Sequence, residues 1–568
     1  MAITEELAPA ASTRAAAPAV PTRAPGARAP HGGAGAGGWD RGRWAMVAVV
    51  ALALSPFVVG AVEILHRGFP PGALFGDRAI LALTARDAFR APVLLGPYSR
   101  FYWHHPGPLY FYVLQAWSWV FGGSTVSLVL GATAINVAGA AGILALAHRR
   151  GGRPLLVWTA LLLGAYLVAL DPIPFDIWNP SVTVLPFVAL LLLAWSVACR
   201  DWWAMPWLAL VASFVVQTHV GLAPGAAAAI GSCAVLALVR QRRHGPPDEL
   251  QRRTIGRAAL VSALVVLVAW LPPIVQELTS GSGNLSALLH FFTQQVTPHP
   301  LSDGLTQTGL QTTLMLRAVF TPVTLREDYH QGLTLALVVT VVACAVALYL
   351  ARRARSSDTL ALFAVVAVEL VAGVYAVTRI QGAIQFYLVQ WISAVGFVLW
   401  MACGHAVIAS VRERSARADV RAPRWARLGT VVVLVVLCVS TIHALPGDAG
   451  RINEDLDVPN NRALFGYVPA RQLLAATHSG ETVTLRPDSV TSWEVLAADA
   501  LLLAQHGRDV HVVATKETRL LFDDALLVSR APAGAVLAFR DRPQRHAAQG
   551  STFLADQGRW TIVTIARG

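Results

Sequence analysis

The chain has 568 residues, a mean hydropathy of +0.53 and only 14% charged residues. Charge-free stretches such as "WAMVAVVALALSPFVVGAV" and "LTLALVVTVVACAVALYLA" are long enough to cross a hydrocarbon layer about 30 Å thick. The composition therefore excludes a large soluble protein and predicts a polytopic α-helical membrane protein. The formal charge of +12 does not indicate a nucleic-acid partner, because the arginines lie in short turns between apolar segments.

The first forty residues are rich in Ala, Pro, Gly and Arg, and they predict a disordered tail. The apolar segments that follow predict eleven crossings, near 44–64, 124–147, 154–170, 181–199, 204–220, 222–240, 258–275, 331–351, 359–378, 385–409 and 428–445. All five cysteines fall within these segments without metal-like spacing, so we expect neither a disulfide framework nor a cysteine-based metal site.

Arginine-rich turns alternate with arginine-poor ones along the chain. The rich turns are 148–153, 240–253, 352–358 and 412–427. The positive-inside rule then predicts a cell-membrane protein with a cytoplasmic N-terminus and an extracytoplasmic C-terminus. It divides the chain into a cytoplasmic tail over 1–40, a membrane domain over 41–445 with outer loops at 65–123 and 276–330, and an outer domain over 446–568.

The outer domain differs in character from the rest. The runs "ETVTLRP", "DVHVVA", "GAVLAFRD" and "WTIVTIAR" predict short strands, and "SWEVLAADALLLAQHG" predicts a helix that ends at Gly507. This order indicates a small α/β domain. It contains no evident nucleophile or metal set, so acceptor binding or structural support is the expected role.

The first outer loop breaks the positive-inside expectation, because its arginines outnumber Asp77 and Asp87. Guanidinium groups match phosphate oxygens in geometry and charge, so Arg78 and Arg100 are candidates for binding a lipid-linked phosphate. A carboxylate at Asp77 is able to take a proton from an acceptor hydroxyl or simply to pair with an arginine, and the loop alone supports both interpretations equally.

The stretch "GPYSRFYWHHPGPLYFY" ends this loop. Its prolines prevent regular helix, and its aromatic residues suit either a membrane interface or a wall for stacking sugars. His104 and His105 are candidates for contacting the phosphate or the acceptor, with backbone hydrogen bonding as the alternative. Residues 109–121 are too short to span a bilayer and predict an interfacial helix.

Further polar groups fall on the same predicted side. "DPIPFDIWNP" contributes Trp178 and Asn179, with turn formation as the alternative. His219 ends the fifth crossing and either faces a cavity or bonds to a partner helix. Arg379 lies between the ninth and tenth crossings and is a second candidate for binding the phosphate, with a snorkelling interfacial arginine as the alternative. Tyr387, in the same interval, and Asp87 of the first outer loop are further candidates for binding substrate. Glu369 is an acid deep within a crossing. It either marks a proton path or is a neutral, hydrogen-bonded structural carboxyl group.

The aspartate in the first outer loop, followed by "HPGPLYFYVL", resembles the GT-C superfamily of membrane glycosyltransferases. That superfamily includes the protein O-mannosyltransferases, the lipid A aminoarabinose transferase and the mycobacterial arabinosyltransferases. "WLPPIVQELTSGSGNL" adds to a likeness that is nearest to actinobacterial members and covers the chain to about residue 445.

The resemblance implies a polyprenyl-phosphate-linked sugar donor, a cell-envelope acceptor, an inverting displacement and Asp77 as the general base. Many relatives carry two adjacent acids where this chain has Asp77 and Arg78, so no divalent metal is assigned. Two other functions stay open at this point. One is a transporter or flippase of lipid-linked sugars, and the other is a catalytically silent cell-wall assembly factor.

Overall fold

The structure is a computed structural model. It describes residues 41–69, 74–88, 92–170, 173–281, 283–294, 297–320, 331–418, 467–488, 493–522, 524–541, 552–557 and 561–567. The chain divides into two compact units, Met1–Ala45 and Met46–Gly568, and the contacts that build the site all lie within the second. The predicted tail over 1–40 and the predicted crossing over 428–445 lie outside the described residues.

A bundle of long apolar helices forms most of the described chain. Its members are α1 (Arg41–Arg67), α4 (Thr125–Leu170), α6 (Val184–Ala198), α7 (Ala204–Thr218), α8 (Ala223–His244), α9 (Glu249–Thr279), α13 (Leu333–Arg353), α14 (Ser357–Thr378) and α16 (Ser393–Ala418). Eight helical segments in the described residues are long and apolar enough to cross a membrane. The chain is a multi-pass membrane protein.

Helices occupy ten of the eleven predicted positions, and the exact number of crossings stays a prediction. The predicted turn at 148–153 appears as a break inside α4, where Gly152 has φ 65° and Pro154 follows. Such a φ favours glycine, and proline removes a backbone donor, so two helices meet there. α6 is buried on all sides and forms the centre of the bundle.

Two arginine-rich turns meet at one end of this bundle. Arg150 and Arg240 both contact the carboxylate of Asp358, at 2.7 and 2.9 Å. Asp358 lies in the first turn of α14 and Arg240 near the end of α8, and these helices are each about 33 Å long. Their other ends, near Arg379 and Val220, therefore lie far from the arginine-rich face.

The segment between α1 and α4 is structured. It contains α2 (Asp77–Asp87), an antiparallel hairpin of β1 (Tyr98–Ser99) and β2 (Trp103–His104), and α3 (Leu109–Phe121). The helix predicted over 109–121 is present. The segment between α9 and α13 contributes the shorter helices α10 (Asn284–Thr293), α11 (Leu301–Thr312) and α12 (Leu314–Phe320). Two one-turn helices, α5 (Asn179–Val182) and α15 (Phe386–Val389), precede α6 and α16.

The C-terminal part is a mixed sheet with helices. The strands are β3 (Thr482–Pro487), β4 (Asp509–Val513), β5 (Leu527–Val528), β6 (Ala535–Asp541), β7 (Thr552–Gln557) and β8 (Thr561–Arg567), and the helices are α17 (Tyr467–Ala476), α18 (Trp493–Gln505) and α19 (Thr518–Leu521). The strand order is β5-β4-β3-β6-β8-β7, parallel up to β6 and antiparallel beyond it. The four predicted strands and the helix before Gly507 are present, whereas β5 and β7 were not predicted.

The C-terminal sheet and the segment between α1 and α4 share one apolar core. Buried side chains of α2, such as Ile80 and Leu83, belong to the same cluster as Leu496 and Leu503 of α18 and Val483 of β3. Removing such side chains from water favours the packed state by about 1.5 to 3 kcal/mol each. This packing holds the start of α18 beside the start of α2.

Candidate active site

A cavity of about 500 Å³ opens where the hairpin, several bundle-helix ends and α18 converge. Eight of the eleven candidate residues from the sequence line it, namely Asp77, Arg100, His105, Trp178, Asn179, His219, Arg379 and Tyr387. They come from five separate stretches of the chain. A pocket of this size with aromatic walls and a few convergent polar groups has the usual character of a ligand site.

Asp77 is held by two aromatic donors. It begins α2 after Gly76, whose φ of 53° favours glycine, and its carboxylate accepts hydrogen bonds from the Tyr98 hydroxyl and from Nε1 of Trp178, the latter at 3.0 Å. Burial and the neighbouring Asp77 raise the pKa of Tyr98 far above its ordinary value, so the phenol stays protonated and donates. The carboxylate is thus fixed at the cavity wall, where each oxygen keeps a further lone pair.

A buried ion pair holds the turn that contains Trp178 in place. The Arg78 guanidinium donates from Nε and Nη2 to the two carboxylate oxygens of Asp176, each at 2.7 Å, and both side chains are buried. Asp176 also accepts hydrogen bonds from the Trp178 backbone at 3.0 Å and from Ser181 at 2.9 Å. Arg78 lies 5.2 Å from the Trp178 ring. The pair therefore fixes the turn that presents the indole to Asp77.

Two imidazoles lie deeper in the cavity. The rings of His105 and His219 are 4.8 Å apart, and both side chains are buried. Nδ1 of His105 accepts a hydrogen bond from the Val220 backbone at 3.1 Å, so its Nε2 carries the proton. Burial, with His219 as a smaller cause, lowers the pKa of His105 well below 6.5. This imidazole is neutral at neutral pH and acts as a donor rather than as a cation.

The positive charge at the cavity comes from two guanidinium groups rather than from His105. Arg100 follows β1 and lies 4.9 Å from the Phe101 ring, and Arg379 follows the last residue of α14. Neither forms an ion pair with any residue that the structure describes. The guanidinium groups of Arg100 and Arg379 would attract an anionic ligand such as a phosphate, and the apolar wall beside them strengthens that attraction.

Aromatic rings supply much of the remaining wall. Trp178 and Tyr387 lie 5.1 Å apart, and on another side Phe101 and Trp103 both pack against Phe291, at 4.9 and 5.3 Å. The sequence stretch around Phe101 predicted either an interface anchor or a stacking wall, and the structure puts Phe101 and Trp103 at the cavity.

Two of the described candidates, Arg78 and His104, are not brought to this cavity. Arg78 points into the ion pair with Asp176, and the side chain of Asp87 lies outside the described part. His104 faces a second cavity of about 260 Å³, where its Nε2 donates to the Leu520 carbonyl at 3.1 Å. Burial lowers the pKa of His104 to about 4. Asn179 does line the main cavity, but its amide donates to Thr218 O at 3.0 Å.

The lining residues that were not among the sequence candidates include Tyr98, Trp493 and Glu494. Tyr98 stands in the aromatic stretch and carried a general signal. Trp493 and Glu494 begin α18, far along the chain, and no local pattern points from them to Asp77. Burial, and then the charge of Asp77, raise the pKa of Glu494 above its ordinary value.

Two other polar groups lie within the bundle. Gln217 donates to the Ala269 carbonyl at 2.8 Å and so links α7 to α9. Glu369 is buried in α14, close to Gly225 of α8. Within the described ranges, no cluster of three or more His, Cys, Asp or Glu has an arrangement suited to a metal ion.

Solved structures of ArnT from Cupriavidus metallidurans are similar to this chain over nearly its whole length. The undecaprenyl-phosphate complex aligns with a TM-score of 0.54 at 15% identity, covering 92% of this chain and 98% of that one. The apo state aligns with a TM-score of 0.53 at 16% identity, covering 93% and 98%. The chain has the GT-C fold.

The arabinosyltransferase EmbB from Mycobacterium smegmatis aligns at 13% identity with a TM-score of 0.36, covering 75% of this chain and 43% of that one. No family model matches the sequence, and no curated protein matches it. The GT-C fold expected from the first-loop aspartate and "HPGPLYFYVL" is confirmed by the ArnT structures, because the likeness spans both the bundle and the C-terminal part.

Proposed function

We propose that the chain is a glycosyltransferase that moves a sugar from a polyprenyl-phosphate donor to a hydroxyl of a cell-envelope acceptor. The observation that carries the proposal is one cavity that holds a fixed carboxylate, Asp77, together with two cations, Arg100 and Arg379. The GT-C fold supports it, since the ArnT structure of that fold contains undecaprenyl phosphate.

In the proposed reaction, Asp77 takes the proton from the acceptor hydroxyl while that oxygen attacks the anomeric carbon. The new carbon–oxygen bond forms as the bond to the phosphate oxygen breaks, and the polyprenyl phosphate leaves with the electron pair. Arg100 and Arg379 stabilise the charge that gathers on the phosphate. A single displacement of this kind inverts the anomeric configuration.

The reaction is proposed to take place on the outer face of the cell membrane. The cavity lies at the ends of α8 and α14 remote from Arg150 and Arg240. Cytoplasmic turns carry the excess of arginine, so the cavity end is assigned to the outside together with the C-terminal sheet. A donor on a lipid carrier suits that face, where soluble nucleotide sugars are scarce.

The test uses purified protein in lipid nanodiscs, a panel of radiolabelled undecaprenyl-phosphate sugars and extracted envelope acceptors. The parent is expected to transfer one of these sugars, and Asp77→Asn to lose roughly 100-fold or more in kcat, since general-base catalysis contributes about that much. Asp509→Asn, an exposed aspartate of β4, is the matched control and is expected to keep full activity. Failure of the parent to transfer sugar from every donor would overturn the proposal. Equal rates in Asp77→Asn and Asp509→Asn would overturn the role of Asp77.

Translocation of a labelled donor without transfer would instead assign the chain to the flippases. Binding of acceptor without transfer or translocation would assign it to the assembly factors.

A further inference from the structure

We propose that the first turn of α18 is a recognition subsite for the sugar of the donor, in which Glu494 accepts hydrogen bonds from sugar hydroxyls and Trp493 forms the apolar wall. This inference rests on the proposed function and extends it, because it makes the C-terminal sheet part a determinant of donor choice. Both residues line the cavity that holds Asp77.

The position of Glu494 is fixed by its contact with the start of α2. The Gly76 backbone N–H donates to the Glu494 carbonyl at 3.3 Å. A Cβ on Gly76 would lie 3.6 Å from Cγ of Glu494. The two segments of the chain are therefore in contact where Gly76 has its positive φ. The start of α18 is thus joined directly to the residue that precedes Asp77.

The carboxyl group of Glu494 is available to accept hydrogen bonds from a ligand. No described donor forms a hydrogen bond or an ion pair with it, although the side chain is only partly exposed. A half-buried carboxyl gains free energy from a donor that reaches it, because burial has already removed part of its hydration. Sugar hydroxyls in the cavity are donors of the right kind.

The neighbouring rings complete the character of the subsite. Trp493 meets Tyr98 edge-to-face with ring centroids 6.1 Å apart, and Tyr98 in turn donates to Asp77. An indole beside a carboxyl offers a flat apolar surface and an acceptor, which together fit the two kinds of surface on a pyranose or furanose ring. The arginines that suit the phosphate come from other elements, Arg100 next to β1 and Arg379 at the end of α14.

The test measures how much the sugar adds to lipid-phosphate binding. Purified full-length protein in nanodiscs is titrated with bare undecaprenyl phosphate and with its glucosyl, mannosyl and arabinosyl derivatives, and the ratio of Kd values gives the gain from each sugar. The parent is expected to favour one sugar. Glu494→Gln is expected to reduce that gain about tenfold, because a charged acceptor is lost, while the Kd of bare undecaprenyl phosphate changes less than twofold.

Asp509→Asn, on β4 of the same C-terminal part, serves as the control, and its sugar preference is expected to equal the parent's. Thermal melting of each variant checks folding, and Trp493→Phe, which keeps a ring, is expected to lose less of the gain than Glu494→Gln. The inference is overturned if Glu494→Gln keeps the sugar preference, or if it weakens bare undecaprenyl phosphate equally. It is also overturned if the loss depends on added Mg²⁺ or Mn²⁺, which would make Glu494 a metal ligand.

The two proposals fail in different ways. A parent that transfers sugar with a preference unaffected by Glu494→Gln leaves the proposed function intact and removes only the subsite. A parent that binds none of these lipids removes both.

Discussion

At the scale of single residues, the site depends on how Asp77 is held. Its two visible partners are Tyr98 and Trp178, one on each carboxylate oxygen. Trp178 in turn depends on Asp176, which binds the backbone of the same turn. The carboxylate therefore has a defined orientation before any ligand binds, which general-base catalysis requires.

Tyr98→Phe is expected to lower kcat about tenfold with KM nearly unchanged, because the ring and its contact with Trp493 remain while the hydrogen bond that orients Asp77 is lost. Steady-state kinetics with the preferred donor checks this. Tyr112→Phe, whose hydroxyl donates to Val93 O away from the main cavity, is the matched control. A rise in KM with constant kcat would show that Tyr98 binds substrate instead.

Arg78→Met is expected to destabilise the protein by about 3 to 5 kcal/mol, because it leaves the buried Asp176 carboxylate without its cation. The measurement is denaturant-induced unfolding in detergent. Arg253→Met breaks an exposed pair with Glu249 on α9 and is expected to change stability by less than about 1 kcal/mol. An Arg78→Met protein of parental stability that binds undecaprenyl phosphate poorly would return Arg78 to the ligand-binding role predicted from sequence.

The residue types were readable from the sequence to a useful extent. The pairing of arginine with phosphate, and of aspartate with a hydroxyl, can be inferred from residue chemistry without a structure. Most of the residues chosen in this way line the cavity. Arg78 and His104 show the limit, since adjacent residues on a helix or strand point in different directions. Sequence spacing alone did not show which of two neighbours faces the cavity.

At the scale of elements, the hairpin β1–β2 is the piece that assembles the site. It carries Tyr98 at one end and His105 just beyond the other, and Gly96 N–H donates to His105 O at 3.1 Å. A Cβ on Gly96 would lie 2.6 Å from that oxygen and 2.7 Å from the Gly107 carbonyl. Only glycine fits there without moving the chain.

Gly96→Ala is therefore expected to displace the hairpin, to lower kcat at least tenfold and to reduce the melting temperature, in line with the roughly 1 to 3 kcal/mol that overpacking costs. Gly123→Ala, where the nearest contact to an added Cβ is the flexible Arg86 side chain at 3.8 Å, is the control and is expected to behave like the parent. Parental activity in Gly96→Ala would show that the hairpin tolerates movement.

Element positions in the bundle were predictable because long apolar runs have few alternative structures in a membrane. The short pieces were not. β5 has two residues and β7 lies beside an irregular register, so neither produces a distinct sequence pattern. The break at Gly152 was predictable from the arginines and glycines around it.

At the scale of the whole molecule, the proposed orientation separates two charged faces. Arg240 marks one end of the bundle and the cavity marks the other. In a variant lacking the native cysteines, Asp509→Cys is expected to react with a membrane-impermeant maleimide on intact cells, and Arg242→Cys only after lysis. The labelled fraction of each is measured by gel shift. The reverse pattern would place the cavity in the cytoplasm and contradict the proposed donor.

The joining of α18 to α2 was beyond sequence reasoning, because it pairs segments from opposite ends of the chain. The C-terminal helix and strands were predicted, but their contact with the segment between α1 and α4 depends on tertiary packing. That contact gives Glu494 and Trp493 a place at the cavity.

The shared core has a consequence for biogenesis. The part of the cavity wall made by Trp493 and Glu494 leaves the ribosome long after the part made by Asp77. A chain cut before residue 493 thus lacks part of the cavity wall, and the proposed activity is expected only once the C-terminal sheet has folded against α2.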